Sequence, residues 1–282
     1  MKILSIQSHV AFGYAGNSAA VFPLQRLGHD VYPVLTVTFS NHTGYGATRG
    51  PLIAPADVAE VLLGVEERGA FPDVDAVLSG YLGAETMGAV VLDAVSRVKA
   101  ANPRAVYCCD PVMGDVGRGF FVREGIPEFL RDEVVPRADI VTPNQFELEY
   151  LADTTIHTQR DLLDAVGRLR SSGPATVLVT SVVTDDTPAD TIQMACVADS
   201  GAWLVTTPML AMVVRGGGDT TAAVFLAHML TDGPRLALSR TAATMYAVLD
   251  ATHAAGAGEM RLVAEQNAIA HPDERFELVE LG

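Results

Sequence analysis

Positive charge and cysteine are both scarce in this chain. Its 282 residues carry 34 acidic side chains against 19 lysines and arginines, and the only lysines are Lys2 and Lys99. A formal net charge of −15 makes nucleic acid and an anionic membrane surface unexpected partners. The three cysteines show no CxxC or Cys/His spacing, so they predict neither a disulfide framework nor a zinc site and fit a reducing cytoplasm.

Long hydrophobic runs and the most familiar nucleotide-binding motif are also missing. No run of 18 apolar residues occurs, so no membrane span is expected. The N-terminal apolar run is broken by Gln7, Ser8 and His9 and is too short and polar for a signal peptide. The absence of GxxxxGK[ST] excludes a P-loop NTPase. What the chain does have is 49% hydrophobic residues, enough for a sizeable core.

Short apolar runs alternate with helical patterns along the whole chain. This alternation is typical of an α/β fold: a three-layer, doubly wound, mostly parallel sheet with helices on both faces, which we expect to form one domain over residues 1–282. The predicted strands cover 3–7, 31–39, 76–79, 105–109, 140–142 and 176–181, followed by a hairpin of 191–197 and 202–206. The predicted helices cover 16–27, 57–68, 86–100, 123–135, 145–152, 159–171, 219–230 and 234–253.

The segments that follow the predicted strands carry the polar and glycine-rich sequence. In such sheets, ligands bind beyond the carboxyl ends of the strands. These segments are QSHVAFGYAGN (7–17), FSNHTGYGATRG (39–50), SGYLG (79–83), CDPVMGD (109–115), TPNQFELE (142–149) and the loop that ends at 216–219. We expect them to converge on one rim of the sheet and to form the functional site there.

The stretch VVRGGGDTTAA (213–223) places three glycines and Asp219 before a helix of small residues. A glycine-rich turn that opens a helix binds anions, because its N–H groups point outward and the helix dipole adds positive charge. A carboxylate repels phosphate but is a suitable general base for a hydroxyl that attacks phosphorus. Alternatively, Asp219 only caps the helix, which leaves the three glycines unexplained. With no lysine nearby, backbone amides, Mg²⁺ and Arg215 remain to neutralise phosphate charge.

Three other segments each allow two interpretations. Asp110 and Asp115 suit a Mg²⁺ site, or they are solvated acids of a loop. Glu147 suits a metal-bound water, or it lies on the exposed face of a helix capped by Asn144. Residues 39–50 suit a mobile lid, or they form an ordinary surface loop.

Taken in order, the motifs resemble those of the pyridoxal kinases of the ribokinase-like superfamily. The resemblance is carried by QSHVAFGYAGNSAA, FSNHTGYG, SGYLG, CDPVMGD, ADIVTPNQFELE, GGGD and the C-terminal LVAEQNAIAHPDERFE. It implies a ribokinase-like fold and phosphoryl transfer from MgATP to the 5′-hydroxymethyl group of pyridoxal, pyridoxine or pyridoxamine. It also implies a homodimer and a frequent response to K⁺.

The resemblance assigns roles to single positions of this sequence. Asp219 matches the catalytic base, and Gly216, Gly217 and Gly218 match the anion hole for the transferring phosphoryl group. The vitamin pocket is matched by Ser8, Phe39, His42, Thr43, Gly44 and Tyr81. The nucleotide and metal side is matched by Asp110, Thr142, Asn144, Glu147 and Thr180, with Thr207, Pro208, Met209 and Leu210 near the adenosine. Asp110, Asp115 and Glu147 are the expected metal ligands.

Two departures from the pattern keep other functions open. The family motif usually reads GTGD or GAGD where this chain has Gly217, and Thr180 stands where some relatives have lysine. The nearest alternative is a hydroxymethylpyrimidine kinase of thiamine synthesis. A sugar kinase fits the aromatic substrate-facing set less well. A catalytically weak pyridoxal-binding carrier or sensor is the alternative of another class, and the retained Asp219 favours an enzyme over it.

Overall fold

The computed structural model describes residues 1–282, and its strands match most of the predicted ones. They are β1 Lys2–Phe12, β2 Asp30–Asn41, β3 Ala76–Ser79, β4 Val106–Cys109, β5 Gly114–Asp115, β6 Gly119–Phe120, β7 Ile140–Val141, β8 Thr176–Val182, β9 Thr191–Ala198, β10 Gly201–Pro208 and β11 Leu278–Glu280. The helices are α1 Asn17–Arg26, α2 Pro55–Glu67, α3 Glu85–Ala101, α4 Ile126–Phe129, α5 Gln145–Leu151, α6 Gln159–Ser171, α7 Gly217–Asp232, α8 Pro234–Ala254 and α9 Gln266–Ala270.

One nine-stranded sheet forms the middle layer, in the order β11-β10-β9-β8-β7-β4-β3-β1-β2. The strands from β2 to β8 are parallel to one another, and β9, β10 and β11 are antiparallel. Strands β5 and β6 form a separate hairpin. The predicted α/β fold with a mostly parallel sheet is therefore confirmed, and the parallel strands leave their carboxyl ends along one edge.

Side chains of the sheet alternate between two cores, one under each layer of helices. Leu4 and Ile6 of β1 pack into one core, whereas Ile3, directly before Leu4, packs into the other. The first core is completed by α2, α3, α5 and α6, for example through Leu62, Val91, Leu148 and Val166. The second is completed by α1, α7 and α8, for example through Leu24, Phe225 and Leu238. No helix is at once long enough and apolar enough to cross a membrane.

Strands β1 and β2 run further than the sequence predicts. They pair in parallel from Lys2 and Asp30 as far as Phe12 and Asn41, with a register shift between Gln7 and His9. The two strands continue past the rest of the sheet because they pair with each other. The first half of the predicted loop 7–17 is therefore strand, and the lid segment 39–50 starts at the tip of a two-stranded projection.

The predicted helix over 123–135 is shorter and less regular than expected. Helix α4 begins only at Ile126, because Gly125 is in the left-handed region at φ 89°. The chain then widens into a π turn over Leu130–Val134 and tightens into a 3₁₀ turn over Val135–Arg137. Pro136, which has no N–H to donate, lies in that last turn and prevents a regular continuation.

Candidate functional site

One cavity of about 890 Å³ opens at the carboxyl ends of the parallel strands. Every predicted site residue except Gly44 lines it. They are Ser8, Phe39, His42, Thr43, Tyr81, Asp110, Asp115, Thr142, Asn144, Glu147, Thr180, Thr207, Pro208, Met209, Leu210, Gly216, Gly217, Gly218 and Asp219. The fold thus collects eight separate stretches of sequence around one cavity, while the role of each residue stays a prediction.

The three glycines form the start of α7, two residues earlier than predicted. Gly216 precedes the helix in the left-handed region at φ 73°, and a Cβ there would overlap the carbonyl oxygen of Tyr14. Gly217 is under no such restriction, since its Cβ would lie 3.7 Å from Val214 Cγ1. A Cβ on Gly218 would lie 3.7 Å from Asp110 Oδ2. The helix therefore begins with uncovered backbone at the cavity wall, which is the geometry of an anion site.

Asp219 lies in the first turn of α7 and is not its cap. The cap position is Gly216, and no side chain caps the helix there. Burial raises the pKa of Asp219, and bonds from the N–H groups of Gly16 and of Asp219 itself partly oppose this rise. Its Oδ1 would lie 3.5 Å from a Cβ on Gly80, so it faces bare backbone across the cavity. A carboxylate whose pKa is raised is a stronger base than a solvated one.

Glu147 is buried, contrary to its alternative interpretation as an exposed helix residue. Asn144 does cap α5, and the two residues form a reciprocal capping box. The carboxylate of Glu147 accepts hydrogen bonds from the backbone N–H groups of Asn144 at 2.9 Å, Met113 at 2.9 Å and Gly114 at 3.4 Å. Burial still raises the pKa of Glu147 to about 7. The residue links α5 to the loop after β4.

Asp110 is a buried carboxylate of the cavity that lacks a full set of partners. It is only 4% exposed. Its pKa is raised well above the usual range by burial and then by the charges of Glu147 and Asp219. Thr142 Oγ1 donates to Asp110 Oδ1 at 3.2 Å, whereas Oδ2 has no hydrogen-bond partner. An unpartnered buried carboxylate oxygen beside two further acids calls for a cation.

The three predicted metal ligands do not form a ready cage. Asp115 ends β5 at the turn of the β5–β6 hairpin, and its Oδ1 accepts from the backbone N–H of Val116 at 2.8 Å. No group of three or more His, Cys, Asp or Glu side chains is close enough to hold an ion by itself. Asp110 and Glu147 are the buried pair of the set. A cation bound to them would complete its oxygen ligands with phosphate or water.

The other end of the cavity is built by residues 39–50. His42 caps the 3₁₀ turn Thr43–Tyr45, and its Nδ1 accepts from the N–H of Gly44 at 2.9 Å. Burial lowers the pKa of His42, and the charges of Arg215 and Arg118 lower it further. Gly44 is exposed and off the cavity wall, and its carbonyl oxygen accepts from Arg215 instead.

The remaining wall lies beside β8 and β10. The N–H of Thr180 donates a hydrogen bond to the carbonyl oxygen of Pro143 at 2.9 Å, and Thr180 forms an isolated parallel β-bridge with Asn144. Ser181 follows in the left-handed region at φ 54°, rare for a residue other than glycine. The predicted adenosine segment lies at the end of β10.

Several residues that line the cavity were not predicted as site residues from the sequence. They include Arg118, Ser181, Gln193, Met212 and Tyr246. Arg118 had a usable signal, because Gly117 and Gly119 on either side of it both adopt positive φ and make the β5–β6 turn. No sequence signal identified Ser181, since no typical turn residue stands beside it.

Comparison with known proteins gives consistent matches over the whole chain. The profile of the phosphomethylpyrimidine kinase family matches residues 35–261. The chain is 56% identical over 283 residues to the pyridoxal kinase of Leifsonia xyli, covering 100% of both chains. It is 56% identical over 278 residues to that of Rubrobacter xylanophilus, covering 98% of this chain and 96% of the relative. The structure of a Leishmania donovani pyridoxal kinase in complex with ADP and pyridoxamine superposes with a TM-score of 0.92 at 29% identity, covering 100% and 99%.

Proposed function

The chain belongs to the pyridoxal kinase family, and from this premise we propose that it phosphorylates the 5′-hydroxymethyl group of pyridoxal with ATP. We include pyridoxine and pyridoxamine as further substrates and pyridoxal 5′-phosphate as the product for vitamin salvage. The observation that carries the proposal is the placing of Asp219. A carboxylate of raised pKa stands at a helix start of bare glycine backbone, within the same cavity as a buried acidic pair.

The proposed step divides between Asp219 and the start of α7. The carboxylate accepts the proton of the substrate hydroxyl, and the freed oxygen attacks the γ-phosphorus of ATP. The bond from that phosphorus to the bridging oxygen breaks, and ADP leaves. The N–H groups at Gly216–Gly218 and the helix dipole stabilise the charge that gathers on the transferring group. Asp219 is in the first helical turn, so the base and the anion site keep a fixed relation.

We propose that Mg²⁺ enters with the nucleotide and is held by Asp110 and Glu147, with Asp115 as the outermost candidate. The unpartnered Oδ2 of Asp110 supports this fit. The ion would neutralise phosphate charge that two lysines, both in ion pairs elsewhere, leave uncovered. Thr142, Asn144, Thr180 and residues 207–210 would hold the nucleotide, and Ser8, Phe39, His42, Thr43 and Tyr81 the vitamin. A single domain over 1–282 with a lid at 39–50, a response to K⁺, a homodimer and a cytoplasmic location complete the proposal.

The test is ADP release with MgATP and K⁺ in parallel for pyridoxal, pyridoxine, pyridoxamine and hydroxymethylpyrimidine. The reaction without acceptor gives the ATPase background. Turnover of the B6 vitamers with little turnover of the pyrimidine is the expected result.

Two other outcomes would replace the proposal. The name of the matching family favours phosphomethylpyrimidine chemistry as the second candidate, and preferential turnover of the pyrimidine would select it. Pyridoxal binding without turnover of any acceptor would select the carrier or sensor, and Gly217 and Thr180 would then be the first positions to revert.

A further inference from the structure

Four distant segments meet at the mouth of the cavity, on the side away from the acidic pair. We call the cluster of Phe12, Tyr45, Arg215 and Glu259 the latch. The Arg215 guanidinium carbon lies 3.8 Å from the centre of the Tyr45 ring, and its Nη2 donates to Gly44 O at 3.1 Å. The Phe12 ring packs edge-on against Tyr45 at 6.0 Å between centroids. These contacts join the lid to the tip of β1 and to the residue before the glycine turn.

Glu259 closes the latch from the C-terminal part of the chain. Its Oε1 accepts a hydrogen bond from the Tyr45 hydroxyl, and its Oε2 accepts from the N–H of Tyr14 at 3.0 Å. Gly13, at φ 82°, leaves room for this carboxylate, because a Cβ there would overlap it. The hydrogen bond to Glu259 raises the pKa of the Tyr45 hydroxyl, because it favours the protonated, donating form. One carboxylate thereby joins the lid to the turn that follows β1.

Arg215 lines the cavity, and its side-chain contacts are with the lid. Because it directly precedes Gly216, it is a natural candidate for binding phosphate. Its contacts instead run outward, to the Tyr45 ring and the Gly44 carbonyl, and it forms no ion pair with a carboxylate. Its charge still reaches His42, whose pKa it lowers. The Arg215 side chain thus connects the glycine turn to the lid.

We propose that Tyr45, Arg215 and Glu259 are positioning residues for the vitamin: they hold residues 39–50 against the glycine turn so that His42 and Thr43 face the pocket. This inference rests on the proposed function. Tyr45 is 42% exposed and its bonds compete with water, so the latch opens without unfolding the sheet. Vitamin entry, and not nucleotide binding, is the step it controls.

The experiment measures KM for pyridoxal, KM for ATP and kcat in Tyr45→Phe, Glu259→Ala and the double variant. The expected rise of the pyridoxal KM is about three- to tenfold, the effect of one lost hydrogen bond at a partly exposed site, with the ATP KM unchanged within about twofold. The double variant is expected to match the worse single variant, since both remove the same bond. Arg215→Lys keeps the charge but loses the planar contact, and should raise the same KM.

Matched controls use residues without partners. Glu277→Ala removes an exposed glutamate of the same C-terminal stretch that makes no side-chain hydrogen bond, and Arg235→Lys repeats the arginine change at a free surface site. Both should leave every constant unchanged. A parallel rise of both KM values, additive single variants, or a lower melting temperature without a KM change would overturn the positioning role.

A second readout separates this inference from the proposed function. Arg49 is exposed within the lid, and trypsin cleaves after arginine. Cleavage after Arg49, followed by mass spectrometry without substrates, should be several-fold faster in Glu259→Ala than in the wild type or Glu277→Ala. Equal rates would overturn the latch even in an active enzyme. An inactive wild type with the expected cleavage pattern would instead count against the kinase proposal alone.

Discussion

The two ends of the cavity are built in different ways. At the acid end, which comprises Asp110, Thr142, Asn144 and Glu147, the two carboxylates are each 4% exposed and Glu147 accepts from three backbone N–H groups. At the lid end, residues 43–47 are exposed and are held from outside by side chains. The side chains of the acid end are thus held in place by the folded backbone itself. The lid end is instead held by side-chain contacts at the surface, among them those of the latch.

The sharpest test of this contrast is at Asp219, between the two ends. Asp219→Asn removes the base and keeps the shape, so kcat should fall by about 10³-fold. Pyridoxal binding without ATP should change by less than about threefold, because the lid end is untouched. Single-turnover kinetics and a pyridoxal titration measure the two quantities. Retention of full turnover would remove Asp219 from the mechanism.

The glycine turn offers a matched pair of variants with the next largest effect. Gly216→Ala forces a left-handed alanine against Tyr14 O and should cost about 1–3 kcal/mol of unfolding free energy, with loss of turnover. Gly217→Ala has room and, at the first helical position, should stabilise by up to about 1 kcal/mol. Urea unfolding and kcat for both variants provide the measurement. A damaging Gly217→Ala would show that the middle glycine is required, although a Cβ there has room.

The smallest expected effect is a pH dependence at the lid end. The pKa of His42 is lowered, so the unfolded or open lid binds the proton more tightly than the closed one. The contribution of His42 is therefore complete above its ordinary value near 6.5 and is lost as pH falls below it. Protonation of Nδ1 would also remove the acceptor of the Gly44 N–H. The pyridoxal KM should rise about threefold from pH 7.5 to 5.5.

His42→Asn is the control for that profile. An asparagine oxygen can cap the same turn without titrating in this range. The variant should show a flatter KM profile while the ATP KM keeps the profile of the wild type. An unchanged slope in His42→Asn would assign the pH dependence to another group.

Local sequence patterns predicted the fold well for elements that are determined by neighbouring residues in the chain. The alternation of apolar runs and helices gave the sheet, its mixed edge and both helical layers. The extension of β1 to Phe12 was not predictable, since it depends on a partner strand rather than on its own hydrophobicity. The irregular 126–137 segment was missed because Gly125 and Pro136 were outweighed by the apolar spacing between them.

The site divides in the same manner. Motifs next to strand ends identified the wall of the cavity, because parallel strands necessarily share an edge. The burial of Glu147 was not predictable from the spacing of Glu147 and Glu149, which does not specify the face that meets the loop after β4. The pairing of Tyr45 with Glu259 spans 214 positions, and nothing local marks either residue.

The separation of 214 positions between Tyr45 and Glu259 affects when their contact can form during synthesis. During synthesis, every residue of the acid end and the turn of Gly216–Gly218 is translated before Glu259. The contact between Tyr45 and Glu259 can therefore form only near the end of translation. A chain that ends before residue 259 would lack this contact and also the buried side chains of Met260, Leu262 and Ile269.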